Sequence, residues 1–94
     1  MQVKFDIKYE RSKNKVAKRI DIEKVEKTEE LFKNDPTYHK LELKSIVYRR
    51  DKHKKSIRVL GNDGFRILIS ICDDIAYFQD IMDHNKYDRM TKDC

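Results

Sequence analysis

The sequence predicts an α+β fold, an antiparallel sheet of about five strands in the order ββαβββα packed against a C-terminal helix. Three observations lead there. Apolar and polar residues alternate along 2–9, the period of a half-buried strand. The apolar runs 56–60 and 65–71 are joined by Gly61-Asn62-Asp63-Gly64, whose residue types tolerate the positive φ of a hairpin turn. Ile75, Phe78 and Met82 then recur at helical spacing. A chain of 94 residues corresponds to one domain, so residues 1–94 are expected to share a single core.

In QVKFDIKY (2–9), Val3, Phe5, Ile7 and Tyr9 share a face, and after the turn-like ERSKNK (10–15) Val16, Ile20 and Ile22 return at strand spacing. A hairpin of 2–9 with 15–22 is the simplest pairing. Residues 23–34 place Val25, Thr28, Leu31 and Phe32 on one helical stripe, capped by Asp21 or Thr28 and ended by Asp35-Pro36. In 40–49, Leu41 and Leu43 share one face but Ile46 and Tyr48 the other, so either both faces are covered or a bulge near Ser45 resets the register. RDKHKK (50–55) is a charged turn, SIRVL (56–60) a strand, and FRILISI (65–71) a central strand covered on both faces. Residues 73–87 read as a helix, with Asp73 and Asp74 at its start and Asp80, Asp83 and Lys86 on its polar face; 88–94 form a frayed tail.

Composition excludes several classes. The chain has only two Gly and one Pro but nine aromatics, four Phe and five Tyr, which argues against disorder. The longest apolar run, ILISIC (67–72), is far short of the roughly 20 residues of a membrane span, and MQVKFDIKYE has no apolar leader core. A cytoplasmic protein is expected, with no membrane partner. Cys72 lies in an apolar stretch and reads as a small buried hydrophobe; with Cys94 at the chain's end it makes neither a disulfide framework nor a zinc cluster.

Catalytic signatures fail in turn. Gly61 and Gly64 belong to a turn and not to a phosphate-cradling loop, and no Cys-x-x-Cys or His-x-x-x-His spacing occurs. His39, His53 and His84 all stand among polar residues and read as surface histidines. Asp80, Asp83 and His84 resemble a weak cation site but fit a solvated acidic face better. Cys72 and His84 lie more than three helical turns apart on the expected helix, too far for a nucleophile pair. The sequence therefore predicts no enzyme, no cofactor, no metal and no small-molecule substrate.

Charge carries the remaining information. The net +5 is distributed in four blocks: +5 over 1–20, −3 over 21–42, +6 over 43–58 and −3 over 59–94. The basic blocks fall on expected hairpin tips, led by Arg11, Lys13, Lys15 and Lys18 in the first and Arg49, Arg50, Lys52, Lys54 and Lys55 in the second. Such tips attract phosphates, and six to ten contacts give strong, salt-sensitive binding. The expected function is a small non-enzymatic protein that grips the backbone of DNA or RNA. The order αβββα invites comparison with double-stranded RNA-binding domains, but Cys72-Asp73-Asp74 stands where those carry lysines on phosphate. The alternative is a stoichiometric inhibitor or adaptor docking on a host protein of opposite charge, through Asp73, Asp74, Asp80 and Asp83 of the expected helix 73–87 or through the basic tips. Strand 2–9 at a sheet edge would allow a homodimer. The bias to Lys and Ile with little Ala suits an AT-rich genome and associates the chain with phages or mobile elements.

Overall fold

The computed structural model describes residues 1–46, 53–61 and 64–92. It bears out the α+β class, the five strands and the C-terminal helix. The elements run β1 (Gln2–Phe5), α1 (Ile7–Val16), α2 (Ile22–Asn34), a 3-10 turn (His39–Leu41), β2 (Lys44–Ser45), β3 (Lys54–Arg58), β4 (Phe65–Cys72), β5 (Ile75–Asp83) and α3 (His84–Lys92). The order in the sheet is β1-β5-β4-β3-β2. β1 runs parallel to β5 and the other pairs are antiparallel, so the sheet is mixed and not purely antiparallel.

The N-terminal hairpin is corrected. β1 ends at Phe5, because Asp6 gives its N–H to Phe78 and its carbonyl to Glu10, closing the ladder and opening a helix in one residue. The expected turn 10–15 and the start of the expected strand 16–22 belong to α1. Tyr9, Ser12, Lys13 and Val16 form its inward stripe; Tyr9 and Val16 are buried, Ser12 and Lys13 half-buried. The polar residues in that stripe find partners inside. The Tyr9 hydroxyl donates to Glu29, Lys13 Nζ lies 3.2 Å from the same carboxylate, and Ser12 Oγ donates to Asp80 at 2.6 Å.

α2 follows the expected stripe, with Val25, Thr28 and Phe32 buried. Of the two expected caps it is Asp21 that serves: Oδ1 accepts the Glu23 N–H at 3.0 Å. Thr28 Oγ1 donates to the Lys24 carbonyl and accepts the Leu60 N–H, tying the helix to the chain that leaves β3.

The expected strand 40–49 reduces, among the described residues, to the 3-10 turn, a left-handed Glu42 (φ 49°) and the two-residue β2. Residues 47–52, with Arg49, Arg50, Lys52 and the tip they were expected to form, lie outside the described residues.

The expected helix 73–87 is instead a hairpin turn, a strand and a helix start. Asp73 and Asp74 take left-handed φ of 52° and 64° between the paired Cys72 and Ile75, the two-residue turn whose twist matches antiparallel strands. β5 then pairs with β4 along its length, with Gln79 bulged where Leu68 opposes Asp80 but Ile69 opposes Phe78. Residues 88–92, expected to fray, complete α3. Cys72 is exposed, contrary to the buried reading.

The main core lies between the sheet and α1 with α2. Phe78 is its centre, meeting Phe5, Tyr9 and Phe32 with ring centroids 5.3–5.5 Å apart. Ile57, Val59, Ile67, Ile69 and Ala76 complete it. Alternation sends Ser56, Arg58, Arg66 and Leu68 to the opposite face, where α3 packs on β4 and β5. No helix among the described residues is long and apolar enough to cross a membrane.

Candidate functional site

The second sheet face is polar at its centre. Arg58 on β3 and Arg66 on β4 stand directly opposite each other across the ladder. Like charges so placed repel. Glu42 holds both, with Oε2 3.1 Å from Arg58 Nη1 and 3.3 Å from Arg66 Nη1. These two guanidinium groups, Arg58 before Arg66, draw its carboxyl below the ordinary value. Among the described residues, Glu42 is the carboxylate that these two guanidinium groups share. The Arg66 side chain is only 13% exposed, and its Nε is buried without a hydrogen-bond partner.

α3 leans over this cluster. The Tyr87 ring lies 5.8 Å from the Arg66 guanidinium, a cation–π distance, and its hydroxyl shares a 2.9 Å hydrogen bond with Ser56 Oγ. Lys54, from the same face of β3, reaches Gln79 at the bulge. The start of α3 is fixed by Asp83, whose Oδ1 accepts the Lys86 N–H at 2.8 Å, an N-cap bond. That bond, then Arg19, holds the Asp83 carboxyl below its ordinary value. The His84 N–H donates to the Gly64 carbonyl at 2.7 Å, pinning the first turn of α3 to the start of β4.

One turn of α3 carries an imidazole–carboxylate couple. His84 Nδ1 lies 2.9 Å from Asp88 Oδ2. The two side chains are 50% and 57% exposed, so the pair contributes little stability and remains accessible. An imidazole takes and gives protons near neutral pH, and a carboxylate on one ring nitrogen orients the other outward. The couple borders a groove of about 550 Å³ lined by Asp83, Asn85, Asp88 and Arg89. His84 and Tyr87 are three residues apart on the helix, so the couple and the arginine cluster adjoin.

The residues singled out by sequence scatter around this site. Arg11, Lys15 and Lys18 are exposed on α1 or just beyond it, not on a hairpin tip, and Lys13 is turned inward to Glu29. Lys54 belongs to the polar face, whereas Lys55 reaches Ser45 Oγ at 2.8 Å on the next strand. The acidic residues do not share a surface. Asp73 and Asp74 form the turn at one end of β5, Asp83 caps α3 at the other, and Asp80 is 3% exposed. Asp80 accepts from Ser12 and from the Ile81 N–H, and pairs with Lys8 at 3.4 Å. Sequence reasoning missed Arg58, Arg66, Glu42 and Tyr87 as a site. Arg58 and Arg66 were legible as the two charged residues inside apolar strands; Glu42 and Tyr87 left no signal.

No protein-family model matches the chain, and no curated protein matches it in sequence. Solved structures do match. YafQ from E. coli strain BL21(DE3) superposes with a TM-score of 0.75 at 12% identity, over 92% of this chain and 96% of that one. A histidine-to-glutamine mutant of E. coli YafQ gives 0.75 at 13% identity over the same shares. The E. coli DinJ–YafQ toxin–antitoxin complex gives 0.73 at 14%, over 90% and 93%. The chain has the fold of these proteins. This likeness overturns the expectation of a non-enzymatic backbone binder, and with it the expectation that the chain is no enzyme.

Proposed function

We propose that the chain is the toxin half of a toxin–antitoxin pair and acts as an endoribonuclease. The fold match over nearly the whole of both chains supports the first part. For the second, the observation that carries the reading is the His84–Asp88 couple beside the Arg58–Arg66–Glu42 cluster. RNA contains its own nucleophile, the 2′-hydroxyl. Its cleavage needs a group to move protons and cations to take up the charge on the phosphoryl oxygens. His84 supplies the first, taking the 2′-hydroxyl proton and passing it on to the departing 5′-oxygen, with Asp88 orienting the ring. Arg66, backed by Arg58, supplies the second as fixed, partly desolvated donors. Tyr87 offers an aromatic surface for a base beside them. Products would be a 2′,3′-cyclic phosphate and a 5′-hydroxyl. That a histidine was the residue replaced in one of the matched structures fits this assignment.

The partner in this reading is a protein antitoxin, which the excess of positive charge would draw by electrostatic complementarity. The test is incubation of the purified chain with a defined messenger transcript. Expected are discrete cleavage products, and a loss of about 10²-fold or more in His84→Gln. Intact RNA with the wild-type chain, or undiminished cleavage by the variant, overturns the reading.

A further inference from the structure

Adjoining the groove at Asp88 and Arg89 is a second concavity, of about 160 Å³, between the C-terminal half of α1 and the end of β5. Its floor is Val16, Ile81 and Met82, all at most 7% exposed. Its rim is Lys15, Arg19 and Lys86, three cations from two helices and the turn after α1. The single carboxylate there, Asp83, is already engaged, with Oδ2 on Arg19 at 2.9 Å and Oδ1 on the Lys86 N–H. Ser12, at the inner wall, is committed to Asp80. Arg19 is further fixed by its guanidinium lying 5.4 Å from the Phe65 ring centroid. Lys15 and Lys86 have no ion-pair partner among the described residues. Asp83 lines both this cavity and the groove beside Asp88 and Arg89, so the two concavities meet at the residue that precedes His84.

We infer that this cavity is a second phosphate subsite, in which Lys15, Arg19 and Lys86 hold a backbone phosphate of single-stranded RNA flanking the scissile one. The inference rests on the ribonuclease reading and extends it to substrate recognition. Three donors around one closed-off carboxylate match a phosphodiester, whose charge requires cations and whose oxygens accept their hydrogen bonds. The floor is too deeply buried to offer a base much apolar surface, so the subsite recognises backbone and not sequence. A substrate must extend at least one phosphate beyond the cleavage point to use it.

The test compares the wild-type chain with Lys15→Gln/Lys86→Gln and with a control, Lys27→Gln/Lys40→Gln, whose lysines are exposed elsewhere. The readouts are cleavage kinetics on an oligoribonucleotide and on a dinucleotide, and oligoribonucleotide affinity against salt in a His84→Gln background. Expected for the subsite variant is a KM about tenfold higher on the longer substrate with kcat within about twofold. The dinucleotide, which lacks the flanking phosphate, should be cleaved as before. The slope of log affinity against log salt should fall by up to about 0.7, the share of the one phosphate the subsite neutralises on a single strand. The control should match wild type, and circular dichroism should show all three chains folded. A wild-type chain that cleaves RNA while the subsite variant keeps the same KM and salt slope overturns the subsite alone. A wild-type chain that neither binds nor cleaves RNA overturns both it and the reading beneath it.

Discussion

Replacing Asp74 by proline, and separately by glycine, distinguishes by sign a hairpin turn from a helix start at 73–74. Asp74 has φ 64°, and Asp73 before it φ 52°. Proline fixes φ near −65° and drives the preceding residue to extended backbone, so Asp74→Pro is incompatible with both residues of the turn. The cost exceeds about 1 kcal/mol, the scale of a compatible proline's benefit, because the Cys72–Ile75 closure of the β4–β5 hairpin is lost as well. Asp74→Gly acts in the other direction. A left-handed L-residue carries roughly 1–2 kcal/mol of strain, eased for Asp, and glycine carries an entropic penalty of about 0.5–1 kcal/mol. A net gain of about 0.5–1 kcal/mol follows, or roughly 2–8 °C in Tm for a chain of this size. Had a helix begun here, proline at its first position would be harmless and glycine destabilising. Thermal and urea unfolding followed by circular dichroism, with the denaturant slope unchanged, reads the difference. A stable Asp74→Pro together with a weakened Asp74→Gly would refute the hairpin, and with it the register that delivers Asp83 opposite Phe65 and His84 to Gly64.

Phe78→Ala should cost about 3–5 kcal/mol in urea unfolding, since three aromatic rings lose their common partner; Phe5→Ala, at a ring 45% exposed, should cost clearly less. Burial first, then the Glu29 charge, raises the Tyr9 hydroxyl above its ordinary value of 10.0. A pKa raised on folding stabilises the native state below the unfolded value and ceases to do so as pH climbs past it, so alkaline titration should show Tyr9 ionising only with unfolding, after the accessible tyrosines. Glu42 is lowered from 4.5 and Asp83 from 3.8, so their contribution is complete above those values and lost as pH falls through the depressed ones. Urea midpoints measured at neutral pH and near pH 3 should therefore diverge less in Glu42→Gln than in wild type.

How much was legible in the sequence depended on whether one periodicity ran through one element. α2 and β4 were readable because a single stripe governs each: Val25, Thr28 and Phe32 in the helix, and Phe65, Ile67 and Ile69 in the strand. The N-terminus misled because the alternation Val3, Phe5, Ile7, Tyr9 spans a junction. Phe5 and Tyr9 do meet, rings stacked at 5.6 Å, but as strand end and helical first turn, and Ile7 between them is 72% exposed. The inward stripe of α1 was hidden because Ser12 and Lys13 are polar, and only their partners Asp80 and Glu29, distant in sequence, make those positions interior.

β5 misled for a reason that also makes the site. A strand alternates with period two, but the bulge at Gln79 inserts one residue, so the core positions run Ala76, Phe78, then Ile81. A step of three in an otherwise alternating run imitates a helix, and the burial of Ile81 and Met82 on opposite faces removes the polar face that would have marked a strand. The same extra residue places Gln79 within reach of Lys54 on the polar face, and Asp80 within reach of Ser12 and Lys8 on α1. Beyond it the pairing carries Met82 opposite Arg66 and Asp83 opposite Phe65. Asp83 there caps α3 and anchors Arg19, so His84 begins the helix at the meeting point of the two concavities. An insertion that destroys the sequence signal of a strand thus sets the position of the residue on which the proposed chemistry turns. Deleting Gln79 should restore plain alternation at the expense of the Asp80 contacts with α1, and cleavage by such a variant should fall even where the sheet still folds.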